Sequence, residues 1–184
     1  MSQFTVPTRD QVSAGNQSLF DSLHKGLGFV PNLYATFGLS DNALGAYLTF
    51  QNSHTKSVFS AKEREAVNLV VSQVNECLYC LAAHTALGGM VGFQPDEIQQ
   101  LRAGHATFSP KLDALVKLAS NITETRDHAA PELLDAFFAA GYGQGAAVDL
   151  VLLVGDKIIS NYLHALTQIP VDFPVAPALV AAAV

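Results

Sequence analysis

Residues 60–91 read SAKEREAVNLVVSQVNECLYCLAAHTALGGMV, and this stretch decides the fold. Ser60 followed by Glu63 is a capping box, in which each side chain serves a backbone donor at the start of a helix. Val67, Val70, Val71 and Val74 then recur at helical spacing on one side. A second helix is expected from Cys77 to about Val91. Gly88 and Gly89 weaken its last turns, and Gly92 suits a left-handed cap. A tight turn at Asn75–Glu76 makes 61–75 and 77–91 an αα-hairpin.

The same signals continue outward. Thr8 to Gln11 reads as a capping box opening a helix that ends near Gly26 or Gly28. Pro31 starts a short helix, and Ser40 caps another running to about His54. Pro95 opens a helix that stops at Gly104. Ser109–Pro110 starts one with Leu112, Leu115, Val116, Ala119 and Ile122 on its core face. Pro131 opens another, to Gly141. The last helix runs from about Gln144 to Gln168, carries Val148, Val151, Leu152, Ile158, Ile159, Tyr162 and Leu166, and is stopped by Pro170. No stretch alternates as a strand does, and no Ser- or Gly-rich linker divides the chain. The expectation is an all-α, multi-helix bundle in one domain, 1–184. Its core spans 8–168, and the Pro/Ala-rich tail, 169–184, packs on a neighbouring subunit or hangs loose.

Composition narrows the function. The chain has 184 residues, 49% apolar and 14% charged, with a net charge of −6. That is enough chain for a proper core, and so little charge that part of the surface is expected in a subunit interface. The ten Lys and Arg are scattered. Nucleic-acid binding needs clustered basic residues, so it is excluded, as is a polybasic membrane patch. The N-terminal MSQFTVPTRDQ has neither a basic nor an apolar signal region, and the apolar stretch near 145–155 carries Asp149 and is too short to span a bilayer. The expected compartment is the reducing cytoplasm, where a lone CxxC reads as catalytic or metal-binding.

Cys77 and Cys80 are the only cysteines. On a helix Cys77, Cys80 and His84 share one face, being three and four residues apart. Cys77 lies near the helix N-terminus, which favours an anion, and an imidazole nearby also favours thiolate. Glu65, one helix upstream, folds back towards the thiols and can exchange protons with a cysteine or with His84. Such a set can attack a peroxide, protonate the leaving oxygen and close a disulfide. Helix-end electrostatics favour Cys77 as the nucleophile, whereas His84 is nearer Cys80. A tetrahedral zinc site from Cys77, Cys80, His84 and Glu65 is the metal alternative, two inert buried thiols the bland one, and Glu65 alone reads equally as a solvated helix residue. His24, His54, His105 and His128 read as surface, while His164 can approach the site. Phe37, Tyr47, Phe50, Phe137 and Phe138 read as core or interface, with some lining an apolar channel.

The block Glu65-x11-Cys77-x-Tyr79-Cys80-x3-His84 resembles the alkyl hydroperoxidase D-like branch of the carboxymuconolactone decarboxylase family. FVPNLYATFGLSDNALGAYLTF (29–50) is similar to the N-terminal region of its peroxidase-related members, and SNYLHALTQIPVDFP (160–174) to their C-terminal helix end. The resemblance implies an all-helical homo-oligomer (dimer, trimer or hexamer) with thiol peroxidase activity and no organic cofactor or metal. It implies that Cys80 attacks the hydroperoxide and becomes a sulfenic acid, and that Cys77 donates a proton and then closes a Cys77–Cys80 disulfide. Glu65 and His84 would form the proton relay, and a dithiol or lipoyl-type adaptor protein the reductant. The best-characterised hydroperoxidases carry histidine where this chain has Tyr79, a poor base near neutral pH that serves as an altered relay or as pocket wall. A lactone decarboxylase-like lyase, a general thiol–disulfide oxidoreductase and a metal-binding oligomer are the alternatives.

Overall fold

A computed structural model describes residues 3–126 and 128–179. Within them nine α-helices follow in order: α1 Ala14–Leu27, α2 Asn32–Phe37, α3 Ala43–Ser53, α4 Ala61–Val74, α5 Leu78–Met90, α6 Pro95–Arg102, α7 Pro110–Thr125, α8 Pro131–Ala139 and α9 Gln144–Thr167. No strand occurs among the described residues. The start expected at Thr8 closes only the 3-10 turn Arg9–Gln11. The chain is extended at Val12 and Ser13, and Ser13 caps α1 instead, its hydroxyl accepting from the Asn16 amide. Ser40 accepts from the Ala43 amide at 3.2 Å, so it anchors the start of α3 as expected.

The α4 helix is central, touching α5, α6, α7 and α9. Ala66, Val67, Leu69, Val70 and Val71 are all fully buried, as in a helix surrounded by others. Two apolar clusters result. The larger joins α4 to Phe93, Ile98, Leu101, Leu115, Phe137 and Leu150. The smaller gathers α1–α3 around Phe20, Leu44 and Tyr47 and takes in Cys77, Tyr79 and Cys80.

The turn that positions the cysteines is a Schellman motif. The Cys77 amide donates to Ser72 O at 3.0 Å and the Glu76 amide to Gln73 O at 3.0 Å. Glu76 holds the left-handed conformation, φ 51°, normally left to glycine. Cys77 is thus both the second residue after α4's cap, Asn75, and the N-cap of α5.

Beside its buried Leu150, Leu153 and Val154, the last helix buries a polar face and exposes an apolar one. Asp156, Lys157, Ser160, Asn161 and His164 are buried, whereas Val148, Val151, Leu152, Ile159, Tyr162 and Leu166 are exposed, Leu166 by 71%. Val148, Leu152, Gly155, Ile159, Tyr162 and Leu166 follow a four-three spacing, which draws an apolar seam down the outer face. Among the described residues no single helix is long and apolar enough to cross a membrane. Only α8 and α9 together reach that length, and they are bent by 119°.

The described part of the tail neither hangs loose nor waits for a neighbour. The Asn32 amide donates to Asp172 at 2.7 Å, Phe173 packs its ring against Phe29 and Tyr79, and Arg102 donates to Pro177 O at 2.7 Å. Residues 180–184 lie outside the described residues.

Candidate active site

Both cysteines are free thiols, Cys77 4% and Cys80 2% exposed. Cys77 Sγ accepts from the Cys80 amide at 3.4 Å, which satisfies one orphan donor of α5. Behind them Asn161 ties α9 to the turn, its Oδ1 accepting from Asn75 at 2.9 Å. Asn161 Nδ2 has no other acceptor and faces both sulfurs.

The two thiols are not equivalent. A hydrogen bond from Cys77 stabilises the Cys80 anion, and the positive charges of Lys157 and His84 add to it. These outweigh burial and hold Cys80 well below the ordinary thiol value. Cys77, as the donor in that bond and desolvated as well, is pushed far up. These shifts favour the proton of the pair on Cys77 and the negative charge on Cys80. Cys80 also lines a cavity that Cys77 does not.

That cavity, of about 430 Å³, is walled mainly by apolar side chains, among them Leu27, Phe29, Leu33, Leu87, Met90 and Phe173. Glu65 and His84 lie in its wall. Nδ1 of His84 and Oε2 of Glu65 are 2.7 Å apart, and Asn68 donates to the other carboxylate oxygen at 3.1 Å. Burial pushes Glu65 up, but His84, Lys157 and Asn68 more than offset it and hold the carboxyl below its usual range. An ionised Glu65 accepts, so Nδ1 carries the proton and Nε2 is left for another partner. Glu65 is therefore no solvated helix residue; it meets His84 as the spacing predicts. Among the described residues no three His, Cys, Asp or Glu side chains are placed to hold a metal ion.

Tyr79 lines the cavity with its ring, but its hydroxyl is engaged on the far side. It accepts from the Leu33 amide at 3.2 Å and donates to Asp172. Burial and Asp172 push its pKa up. His164 packs against Tyr79, centroids 5.5 Å apart, and bonds Ile169 O at 3.2 Å, so it supports Tyr79 from behind and does not line the cavity. His24 and His128 are exposed and His105 is half-buried.

His54 corrects the sequence reading. It is buried, its ring meeting Phe50 edge-on at 5.0 Å and its Nε2 standing 3.9 Å from Asp156 Oδ2. The reason is the 3-10 turn His54–Lys56, which continues α3 and turns the imidazole in towards α9. Sequence reasoning also missed Asp156, Lys157, Ser160 and Asn161. Ser160 Oγ is 3.8 Å from Cys80 Sγ. Their signal was available: polar residues at 156, 157, 160, 161 and 164 share one face of an otherwise apolar helix.

Residues 42–121 match the profile of the Carboxymuconolactone decarboxylase family. YdfG, an uncharacterised protein of Bacillus subtilis strain 168, is 29% identical over 101 residues, 54% of this chain and 69% of that one. Among solved structures, the alkylhydroperoxidase AhpD core of an uncharacterised peroxidase-related protein from Ralstonia eutropha JMP134 superposes with a TM-score of 0.83. It is 19% identical and covers 93% of this chain and 92% of its own. The debrominase Bmp8 in complex with 2,3,4-tribromopyrrole superposes at 0.78, with 15% identity and 94% of each chain covered.

Proposed function

We propose, from the match of residues 42–121 to the carboxymuconolactone decarboxylase family and from the fold shared with the alkylhydroperoxidase AhpD core, that this chain is a member of that family and a thiol peroxidase acting on organic hydroperoxides. The observation that carries the reading is the polarised thiol pair at the cavity: Cys80, favoured as thiolate, lines it, and Cys77 stands behind with the proton. The Cys80 thiolate attacks the terminal oxygen of R–O–OH. An S–O bond forms, the O–O bond breaks, Cys80 becomes a sulfenic acid and RO⁻ leaves. The proton reaches RO⁻ from the His84–Glu65 pair. Cys77 sulfur then attacks Cys80 sulfur, expelling water and closing the disulfide, and a dithiol restores both thiols by exchange.

The apolar lining supports a substrate with a carbon skeleton. The burial of both sulfurs supports a slender reductant, such as a small dithiol or the lipoyl arm of an adaptor protein, over the disulfide of a folded protein. The outer seam of α9 supports a homo-oligomer, since a heptad-spaced apolar stripe is what a second helix covers.

The test is intact-mass spectrometry of the reduced protein after one equivalent of cumene hydroperoxide. A rapid loss of about two hydrogens, with Cys77 linked to Cys80, is expected, and Cys80→Ser abolishes it. Two thiols that stay free while a small thiol in the same tube oxidises would overturn the reading.

A second reading has one observation in its favour: the cavity is large enough for a small halogenated ring, and a debrominase shares the fold. Bromide release from a brominated pyrrole by the reduced protein, without hydroperoxide turnover, would replace the first reading with this one.

A further inference from the structure

Lys157 is only 2% exposed, and its side chain lines the cavity that Cys80, Glu65 and His84 also line. Its ammonium forms no ion pair and no hydrogen bond with any described residue. A buried cation without a direct partner is costly and persists only where nearby anions compensate it. Two carboxylates and one sulfur face this one. Asp156 is its chain neighbour on α9, Glu65 comes from α4 and Cys80 from α5. The register of the helices brings the sulfur there: Ser160, three residues on and on the same face as Lys157, lies 3.8 Å from Cys80 Sγ. The remaining polar groups around the cavity are committed or neutral. Arg64 turns its guanidinium to Phe59 O at 2.6 Å, Tyr34 and Tyr47 are phenols bonded to Gln51, and His54 faces Asp156. Tyr79 is tied to Leu33 and Asp172 and brings no charge.

We propose that Lys157 is a counter-ion of the Cys80 thiolate, a positioning residue that, together with Cys77 and His84, keeps this sulfur ionised where burial opposes it. Burial lowers the ammonium's proton affinity, but Asp156, Cys80 and Glu65 together raise it further, so it stays charged. Its charge lowers Cys80 in turn, after the contribution of Cys77. The coupling is reciprocal: whatever Lys157 does for the sulfur, the sulfur does for Lys157. In the turnover proposed above, negative charge passes from sulfur to the departing oxygen, and the same ammonium stands beside both positions. Only this last point rests on the peroxidase reading; the thiolate pairing does not.

The test reads the thiolate directly. Absorbance at 240 nm and the rate of iodoacetamide alkylation are followed against pH on reduced wild type, Lys157→Met and Lys157→Arg. The midpoint for Cys80 should rise by about one pH unit or more in Lys157→Met, a tenfold loss of thiolate at pH below the wild-type midpoint, and stay near wild type in Lys157→Arg. Oxidation of Lys157→Met by cumene hydroperoxide should be slowed at pH 7 and recover as the pH is raised past the new midpoint. A folded Lys157→Met with the wild-type midpoint overturns the proposal. Should that variant not fold, Cys80→Ser serves. NMR of the lysine ε-carbons should show Lys157 losing its proton at lower pH than in wild type, and an unchanged Lys157 titration overturns the proposal equally. A shifted midpoint with no hydroperoxide consumption by wild type leaves Lys157 in its role and removes the peroxidase reading alone.

Discussion

Glu65 on α4 and His84 on α5 meet at 2.7 Å, nineteen residues apart in the chain, with the carboxylate held ionised and the ring nitrogen donating. The contact fixes which way the imidazole points and which nitrogen is left over. In Glu65→Gln the amide brings no negative charge to the ring, so the proposed relay loses that charge while its shape remains. The rate of Cys80 oxidation by cumene hydroperoxide should fall by about 10²-fold, the lower range for general acid–base catalysis. Stopped-flow measurement with reduced protein checks this, and circular dichroism should show an intact helix signal.

Tyr79 makes the opposite prediction. Its hydroxyl holds the Leu33 amide and the Asp172 carboxylate, away from the thiols. Tyr79→Phe strands a buried amide, so stability should drop by about 1–3 kcal/mol. The oxidation rate should change by less than about tenfold, unlike the loss of a proton-transfer group. Urea unfolding and stopped-flow kinetics on one preparation separate the two effects.

Glu76 sits exposed at φ 51°, where a side chain costs about 1–2 kcal/mol and glycine costs less. Glu76→Gly should stabilise the protein by about 1 kcal/mol, after glycine's extra freedom in the unfolded chain is subtracted. A higher urea midpoint at unchanged slope is the signature.

Glu63 closes the capping box and also accepts from Tyr142 at 2.7 Å and pairs with Lys111 at 3.1 Å. Burial opposes its ionisation, but these partners win and bring it to about 2 from 4.5. The folded value is the lower one, so the stabilisation is complete above the unfolded value and is lost as pH falls towards about 2. Glu63→Gln should cost about 1–2 kcal/mol at pH 7, discounting for solvent, and the gap to wild type should close in acid. Thermal unfolding at pH 7 and pH 2.5 tests the sign.

Leu152 lies in the outer seam of α9 and is 46% exposed. Leu152→Glu should leave the monomer's helix content intact and shift sedimentation towards smaller species. An unchanged distribution would place the assembly surface elsewhere.

Much of this was legible in the sequence, and the misses have physical causes. Capping boxes, first-turn prolines and glycine stops located the helices because those signals act within a turn of chain. Thr8 misled because the backbone becomes extended at Val12, after a single 3-10 turn, and Ser13 offers a second cap. The meeting of Glu65 with His84 was legible because both lie within one hairpin, where spacing determines geometry. Lys157, Asp156 and Ser160 come from 80 residues further on, and only the packing of α9 against α5 brings them in. Their buried face was hidden because α9 carries apolar residues on two sides: Leu150, Leu153 and Val154 point inward, whereas Leu152, Ile159, Tyr162 and Leu166 point out.

The tail contributes one wall of the cavity, through Phe173, and one lock on Tyr79, through Asp172. Both stand more than ninety residues beyond Cys80 and leave the ribosome after every helix has been made. A nascent chain can assemble the α4–α5 hairpin and its thiols well before that wall exists. The cysteines thus pass through a period of synthesis in which the cavity still lacks the side that Phe173 later closes.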